Sequence, residues 1–180
     1  MILFAFGTRP EWLKIKPLID CIDGNIKYKL LYINQHENIV DETINNYKYD
    51  KLLIKEQLNN RLDSIVCSIL KEIDNYLTDV DYVLVQGDTT TAFAISLACF
   101  HRKIKVIHLE AGLRTWDNQH PYPEEFNRQS ISSIADLNLC PTKDAAQNLI
   151  NENKNTRIEI VGNTILDNLK NMIQNSTNMC

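Results

Sequence analysis

Short apolar runs alternate with longer amphipathic stretches along almost the whole chain, and that alternation leaves few folds open. Ile2 to Phe6 is such a run, closed by Gly7; Tyr28 to Ile33, Val80 to Val85, Ile104 to Leu109 and Arg157 to Val161 are others. Shorter strand segments fall at Lys51 to Ile54 and between Ala135 and Pro141. Between the strands, apolar residues recur at helical spacing. They predict helices from Pro10 to about Ile22, Glu37 to Tyr47, Leu62 to Ile73, Thr90 to Phe100, Pro123 to Ala135, Asp144 to Asn151 and Thr164 to Ile173. Strands and helices in this order imply a parallel sheet covered on both faces. The fold class is therefore α/β, a doubly wound parallel sheet of Rossmann-like kind. Thr90 to Phe100 is apolar nearly all round, as a buried helix is.

Composition narrows the function classes. A chain of 180 residues buries about 70% of its unfolded surface and needs no disulfide or metal staple. Its net charge of −4 argues against a duplex-coating nucleic-acid binder, which needs clustered Lys and Arg. A polyanionic small molecule stays open, because a few local cations suffice for one. The five cysteines are odd in number, scattered and without a CxxC pair, which fits a reducing compartment. No apolar run reaches bilayer length, and the first six residues lack a basic start and a cleavage site. The expected location is the cytoplasm, with no membrane and no nucleic-acid partner.

In open parallel sheets, ligands bind beyond the carboxyl ends of the strands, where strand order reverses. Three strands end in segments fit for chemistry: Gly7-Thr8-Arg9-Pro10-Glu11, Gln86-Gly87-Asp88-Thr89-Thr90-Thr91 and His108-Leu109-Glu110-Ala111-Gly112-Leu113-Arg114-Thr115. With the usual 3-2-1-4-5 order these strands are neighbours, about 4.8 Å apart, and their loops meet on one crest.

Gly7 and Pro10 read as a tight turn into a helix, with Pro10 at its first position. Arg9 and Lys14 differ: two cations near a helix N-terminus suit a phosphate or carboxylate. The loop is neither a Walker loop nor GxGxxG, so no ATP or NAD cofactor is implied. Asp88 and Thr89 are alternative N-caps of the following helix, and for Asp88 that role weighs as much as catalysis. Glu110, a carboxylate ending an apolar strand, needs a solvated cleft or a cation such as Arg9 or Arg114. Glu124 and Glu125 open a helix about 100° apart, so at most one faces a site; the other is exposed or paired with Arg128. Carboxylates beside cations suit proton abstraction and donation next to a bound anion. The four histidines lack metal-ligand spacing, so no metal is expected, and His108 reads as a core histidine.

These blocks, followed by Pro123-Glu124-Glu125-Phe126-Asn127-Arg128 and Gly162-Asn163-Thr164, resemble the UDP-N-acetylglucosamine 2-epimerase family in order from residue 7 to about 167. The resemblance implies the N-terminal half of a glycosyltransferase-B-like two-domain fold, with the active site between two Rossmann-like halves. It implies inversion of C2 of a UDP-sugar by anti elimination of UDP to a 2-acetamidoglucal, then re-addition with protonation from the opposite face. Hydrolysing relatives add water instead. By motif position Asp88, Glu110 and Glu124 match the acidic catalytic residues, and Arg9 and Lys14 the substrate-binding cations, with Arg114 counted beside them. Choosing Glu124 over Glu125 rests on the resemblance alone. Gln35 and His36 look like the family's effector-site pair, although Cys67-Ser68-Ile69-Leu70 has Ser where bacterial members commonly carry Arg.

Family chains run to about twice this length, consistent with two domains of ordinary size. Residues 1–167 are expected to form the Rossmann-like N-terminal domain and 168–180 the end of the last helix and a tail, without the C-terminal UDP-binding domain. The expected partners are a UDP-sugar, a C-terminal domain or partner chain, and a second copy in a homodimer. The alternative is a split or truncated half that binds a sugar nucleotide or a partner without turnover.

Overall fold

The structure is a computed structural model, and it describes residues 1–22, 24, 26–34, 42–153 and 156–170. Seven strands are described: β1 (Ile2–Phe6), β2 (Tyr28–Asn34), β3 (Asp50–Leu53), β4 (Tyr82–Gln86), β5 (Lys105–Leu109), β6 (Leu137–Cys140) and β7 (Arg157–Ile160). They form one sheet in the order β3-β2-β1-β4-β5-β6-β7, with every pairing parallel. The expected 3-2-1-4-5 order is what the chain adopts. Strand order reverses between β1 and β4, where Ile2, Leu3 and Phe4 lie opposite Tyr82, Val83 and Leu84.

Five helices connect the strands: α1 (Arg9–Cys21), α2 (Arg61–Glu72), α3 (Thr90–His101), α4 (Glu124–Ile134) and α5 (Lys143–Asn151). The period of two along β1 sorts its side chains between two cores. Leu3 and Ala5 join Leu31, Ile33, Val83, Val85 and Val106 under Ile65 and Ile69 of α2, Ala94 and Ile95 of α3 and Ile131 of α4. Phe4 and Phe6 join Leu30, Tyr32 and Leu84 on the opposite face, beneath Trp12, Ile15 and Ile19 of α1. α3 is buried as its composition requires, with Ala92, Ala94, Ile95, Ala98 and Cys99 all inside. α5 packs Ala145, Ala146 and Leu149 against Cys140 of β6, with Ile158 of β7 alongside.

Two expectations change. The helix predicted from Glu37 lies partly outside the described residues, and the described remainder, Glu42–Asn46, is a 3-10 turn. Its Asn45-Asn46 pair favours turn over helix interior, since short polar side chains compete for the backbone. The stripe of α2 tightens after Glu72 into a 3-10 turn, Ile73–Tyr76. Helical backbone over 165–170 ends the described chain.

Candidate active site

The loops after β1, β4 and β5 meet on one crest at the reversal point. With the start of α1 and the end of β4 they line a cleft of about 440 Å³: Thr8 with Pro10 and Lys14 of α1, Gln86 of β4 with Asp88, and Glu110.

α1 starts where the sequence provides a reciprocal cap. The Thr8 hydroxyl accepts the backbone N–H of Glu11, and the Glu11 carboxylate accepts the N–H of Thr8 at 2.7 Å and that of Gly7 at 2.8 Å. Pro10 stands in the first turn as expected. Arg9 is exposed at the first helical position, while Lys14, half-buried one turn on, forms an ion pair with Glu110.

Glu110 follows β5 with φ at +67°, a left-handed conformation that costs a residue with a Cβ about 1–2 kcal/mol. Its carboxylate accepts hydrogen bonds from Lys14 Nζ and Gln86 Nε2. The sequence pointed to Arg9 or Arg114 as its cation, and the structure gives Lys14 instead. Arg114 faces away from that role, its side chain shielded from solvent and its guanidinium on the Glu152 carboxylate at 2.5 Å and 3.2 Å. In that geometry Arg114 ties the β5–α4 loop to the end of α5. The same loop approaches α5 at Gly112, where φ is +87° and a Cβ would stand 2.2 Å from the carbonyl oxygen of Ala145.

The cap of α3 is Thr89, whose hydroxyl accepts the N–H of Ala92 at 3.0 Å, so Asp88 is free of the capping role. The Asp88 carboxylate meets Arg128 Nη2 at 2.6 Å, and its backbone carbonyl accepts Asn127 Nδ2 at 2.9 Å. Burial pushes the Asp88 carboxyl above the usual aspartate value; the Arg128 charge opposes that, and the charges of Glu124 and Glu110 push it further up. The three acidic residues singled out in the sequence therefore act on one another electrostatically.

Glu124 and Glu125 divide as adjacent helical residues must. Glu125 is wholly buried and accepts the N–H groups of Thr115 and Trp116 at 3.1 Å and 3.2 Å, with Gln129 Nε2 at 2.7 Å. Burial would raise its carboxyl, but those bonds and the Arg128 charge outweigh it and hold it below the usual glutamate value. Glu125 is thus a structural anchor of the β5–α4 loop, and Glu124 is the member whose charge Asp88 feels. His108 is a core histidine, as read: fully buried, Nε2 2.7 Å from the Gly87 carbonyl oxygen and pushed down to about 4 by burial.

Sequence reading missed two residues that organise the crest. Glu11 carries a visible signal, the Thr-x-x-Glu spacing of a capping box. The expected pairing of Arg128 with one of the two glutamates falls on Glu125, three residues before it, whereas its contact with Asp88 on the β4–α3 loop has no local sequence signature. Gln35 and His36 lie outside the described residues. Among those residues no group of three or more His, Cys, Asp or Glu could hold a metal ion, and no helix is long and apolar enough to cross a membrane.

A family model described as UDP-N-acetylglucosamine 2-epimerase matches residues 22–179. The UDP-N-acetylglucosamine 2-epimerase of Salmonella borreze is 42% identical over 177 residues, covering 93% of this chain and 46% of that protein. The enzyme of the same name from Campylobacter jejuni is 40% identical, with 98% and 48% covered. Among solved structures, the UDP-GlcNAc 2-epimerase of Neisseria meningitidis bound to UDP-GlcNAc superposes with a TM-score of 0.90 at 37% identity, covering 97% of this chain and 50% of that one. The chain spans about half the length of the curated relatives it matches, corresponding to their N-terminal halves.

Proposed function

The chain belongs to the UDP-N-acetylglucosamine 2-epimerase family, and on that premise we propose that it supplies the proton-handling half of an enzyme inverting C2 of a UDP-linked N-acetylhexosamine. The observation that carries this reading is the convergence of Asp88, Glu110 and Glu124 from three separate segments onto one crest, with Asp88 raised by burial and by its two acidic neighbours.

The chemistry needs one carboxylate to take the C2 proton and another group to return a proton on the opposite face. As the proton leaves, the C2 electron pair forms a C1–C2 double bond and the C1–O bond breaks, releasing UDP. Re-addition of a UDP oxygen at C1 with protonation at C2 completes the inversion. Carboxylates that repel one another cannot all ionise with equal ease, so such a cluster can hold acid and base at the same pH. Arg9 and Lys14, beside the N-terminus of α1, suit the diphosphate.

Residues 1–167 form the catalytic-residue domain in this reading, and a C-terminal domain holds the uridine diphosphate. The substrate assignment draws support from the Neisseria meningitidis neighbour bound to UDP-GlcNAc. A homodimer, a cytoplasmic location and a place in polysaccharide biosynthesis belong to the same proposal; the scattered cysteines, free at Cys21, Cys67, Cys99 and Cys140, support a reducing compartment.

The test is proton NMR in D2O with UDP-N-acetylglucosamine, on this chain alone and joined to the C-terminal half of a matched relative. Deuterium should enter C2 and the manno epimer appear in the joined form. Asp88→Asn and Glu110→Gln should each abolish both signals. Turnover retained in both variants would overturn the assignment, and release of free N-acetylmannosamine would place the chain in the hydrolysing branch.

A further inference from the structure

Arg128 is the hub of the crest. Its side chain is only 12% exposed, and it lies between two carboxylates, with Nη2 2.6 Å from Asp88 Oδ2 and Nη1 3.5 Å from Glu125 Oε2. Those carboxylates belong to different parts of the site. Asp88 stands on the β4–α3 loop, while Glu125 holds the backbone of Thr115 and Trp116 in the β5–α4 loop. The neighbouring Asn127 fixes the Asp88 carbonyl, so α4 grips Asp88 by both backbone and side chain.

We propose that Arg128 is a positioning residue: its guanidinium clamps Asp88 to Glu125, coupling the β4–α3 loop to the β5–α4 loop and setting the direction of the Asp88 carboxylate. The clamp deepens the role proposed for Asp88 and rests on it for any bearing on turnover.

Two observations beyond the contacts support this. Arg128 Nε is buried, so the guanidinium is enclosed as well as paired. The second observation is the charge balance around Asp88. Glu124 on α4 and Glu110 after β5 face it with like charge, Lys14 of α1 is engaged by Glu110, and Arg128 is the cation in direct contact. An opposite charge at this distance lowers a carboxylate pKa by about one to three pH units.

The experiment is a carbon-detected NMR titration of the Asp88 side-chain carboxyl in the 180-residue protein, assigned by its loss in Asp88→Asn. In Arg128→Met the midpoint should rise by about one to three pH units, and in Arg128→Lys by less, because charge is kept and the two-pronged geometry lost. An unmoved midpoint in a folded Arg128→Met protein overturns the clamp. If that variant does not fold, the wild-type protein decides. Its Arg128 guanidinium protons should be protected from solvent exchange and lose protection in Asp88→Asn; rapid exchange in the wild type overturns the proposal. A shifted midpoint here, with no turnover in the joined form, keeps the clamp and removes the function proposed above. Turnover with an unmoved midpoint does the reverse.

Discussion

The carboxylate of Glu11 in α1 accepts a 2.6 Å hydrogen bond from the hydroxyl of Thr89, and that hydroxyl in turn accepts the backbone N–H of Ala92 at the start of α3. One buried side chain thereby joins the loops after β1 and β4, the two strands between which the sheet reverses. Among the described residues its bonds come from Gly7, Thr8 and Thr89, and burial pushes its carboxyl above the usual glutamate value.

Glu11→Ala should cost about 2–3 kcal/mol in urea denaturation, because the stranded donors are buried or half-buried. For Glu11→Gln the sign of the pH dependence follows from the raised carboxyl. The native state holds this proton more tightly than the unfolded chain does, so that contribution is full below the ordinary value of 4.5 and is lost as pH rises through the folded value. The cost of Glu11→Gln, which does not titrate, should therefore be greatest in acid and shrink as the pH rises. A cost that grows with pH would contradict the assignment.

Gly112 and Gly87 share a positive φ and differ in their surroundings. A Cβ on Gly112 would stand 2.2 Å from the Ala145 carbonyl oxygen, whereas a Cβ on Gly87 meets nothing within 4 Å. Gly87→Ala should cost only the backbone strain, about 1–2 kcal/mol. Gly112→Ala adds the displacement of α5 and should cost about 3 kcal/mol or more. Thermal denaturation of the two variants side by side checks the difference, and equal losses would mean that α5 yields freely.

Glu124 and Glu125 should separate cleanly on substitution. Glu125→Gln strands backbone donors of the β5–α4 loop and weakens the Arg128 pair, so it should lower stability by about 2 kcal/mol. Glu124→Gln should leave the urea midpoint nearly unchanged and abolish C2 exchange in the joined form. The opposite pattern would exchange their roles.

His108 should stay neutral until strongly acidic pH, since burial pushes it from 6.5 down to about 4. A depressed value means that the unfolded chain binds the proton first. The stability this neutral ring contributes is full above 6.5 and is lost as pH falls towards about 4. The expected loss is about 3 kcal/mol. His108→Gln should not show this loss, so the stability difference between wild type and variant should change by about 3 kcal/mol across that range, and the His108 ring signals should report the midpoint directly by NMR.

The sheet was legible because apolar runs alternate with helical patterns and β1, β4 and β5 end in abrupt polar blocks, and the order of a doubly wound sheet follows from handed connections. The same blocks marked the crest, and Asp88, Glu110 and Lys14 meet there. The pairings within it were not legible. Lys14 and Glu110 are 96 positions apart and Arg114 and Glu152 are 38 apart, so several cations satisfied the same carboxylate equally well on paper. Only the left-handed turn at Glu110 and the packing of Gly112 against α5 decide between them. Glu11 was visible as a local cap, but its reach to Thr89 exists only once β1 and β4 lie side by side.

The backbone at Glu110 has a further consequence. Because a left-handed main-chain conformation and the bonds from Lys14 and Gln86 hold this carboxylate in place in the folded chain, the cost of orienting it is met on folding and does not recur each time a ligand arrives. Glu110→Gly would release that strain but leave the donors of Lys14 and the buried Gln86 without their shared acceptor, so the two effects oppose each other. The backbone strain at this position is therefore held in place by the same two side chains that the carboxylate serves, and neither can be given up without the other.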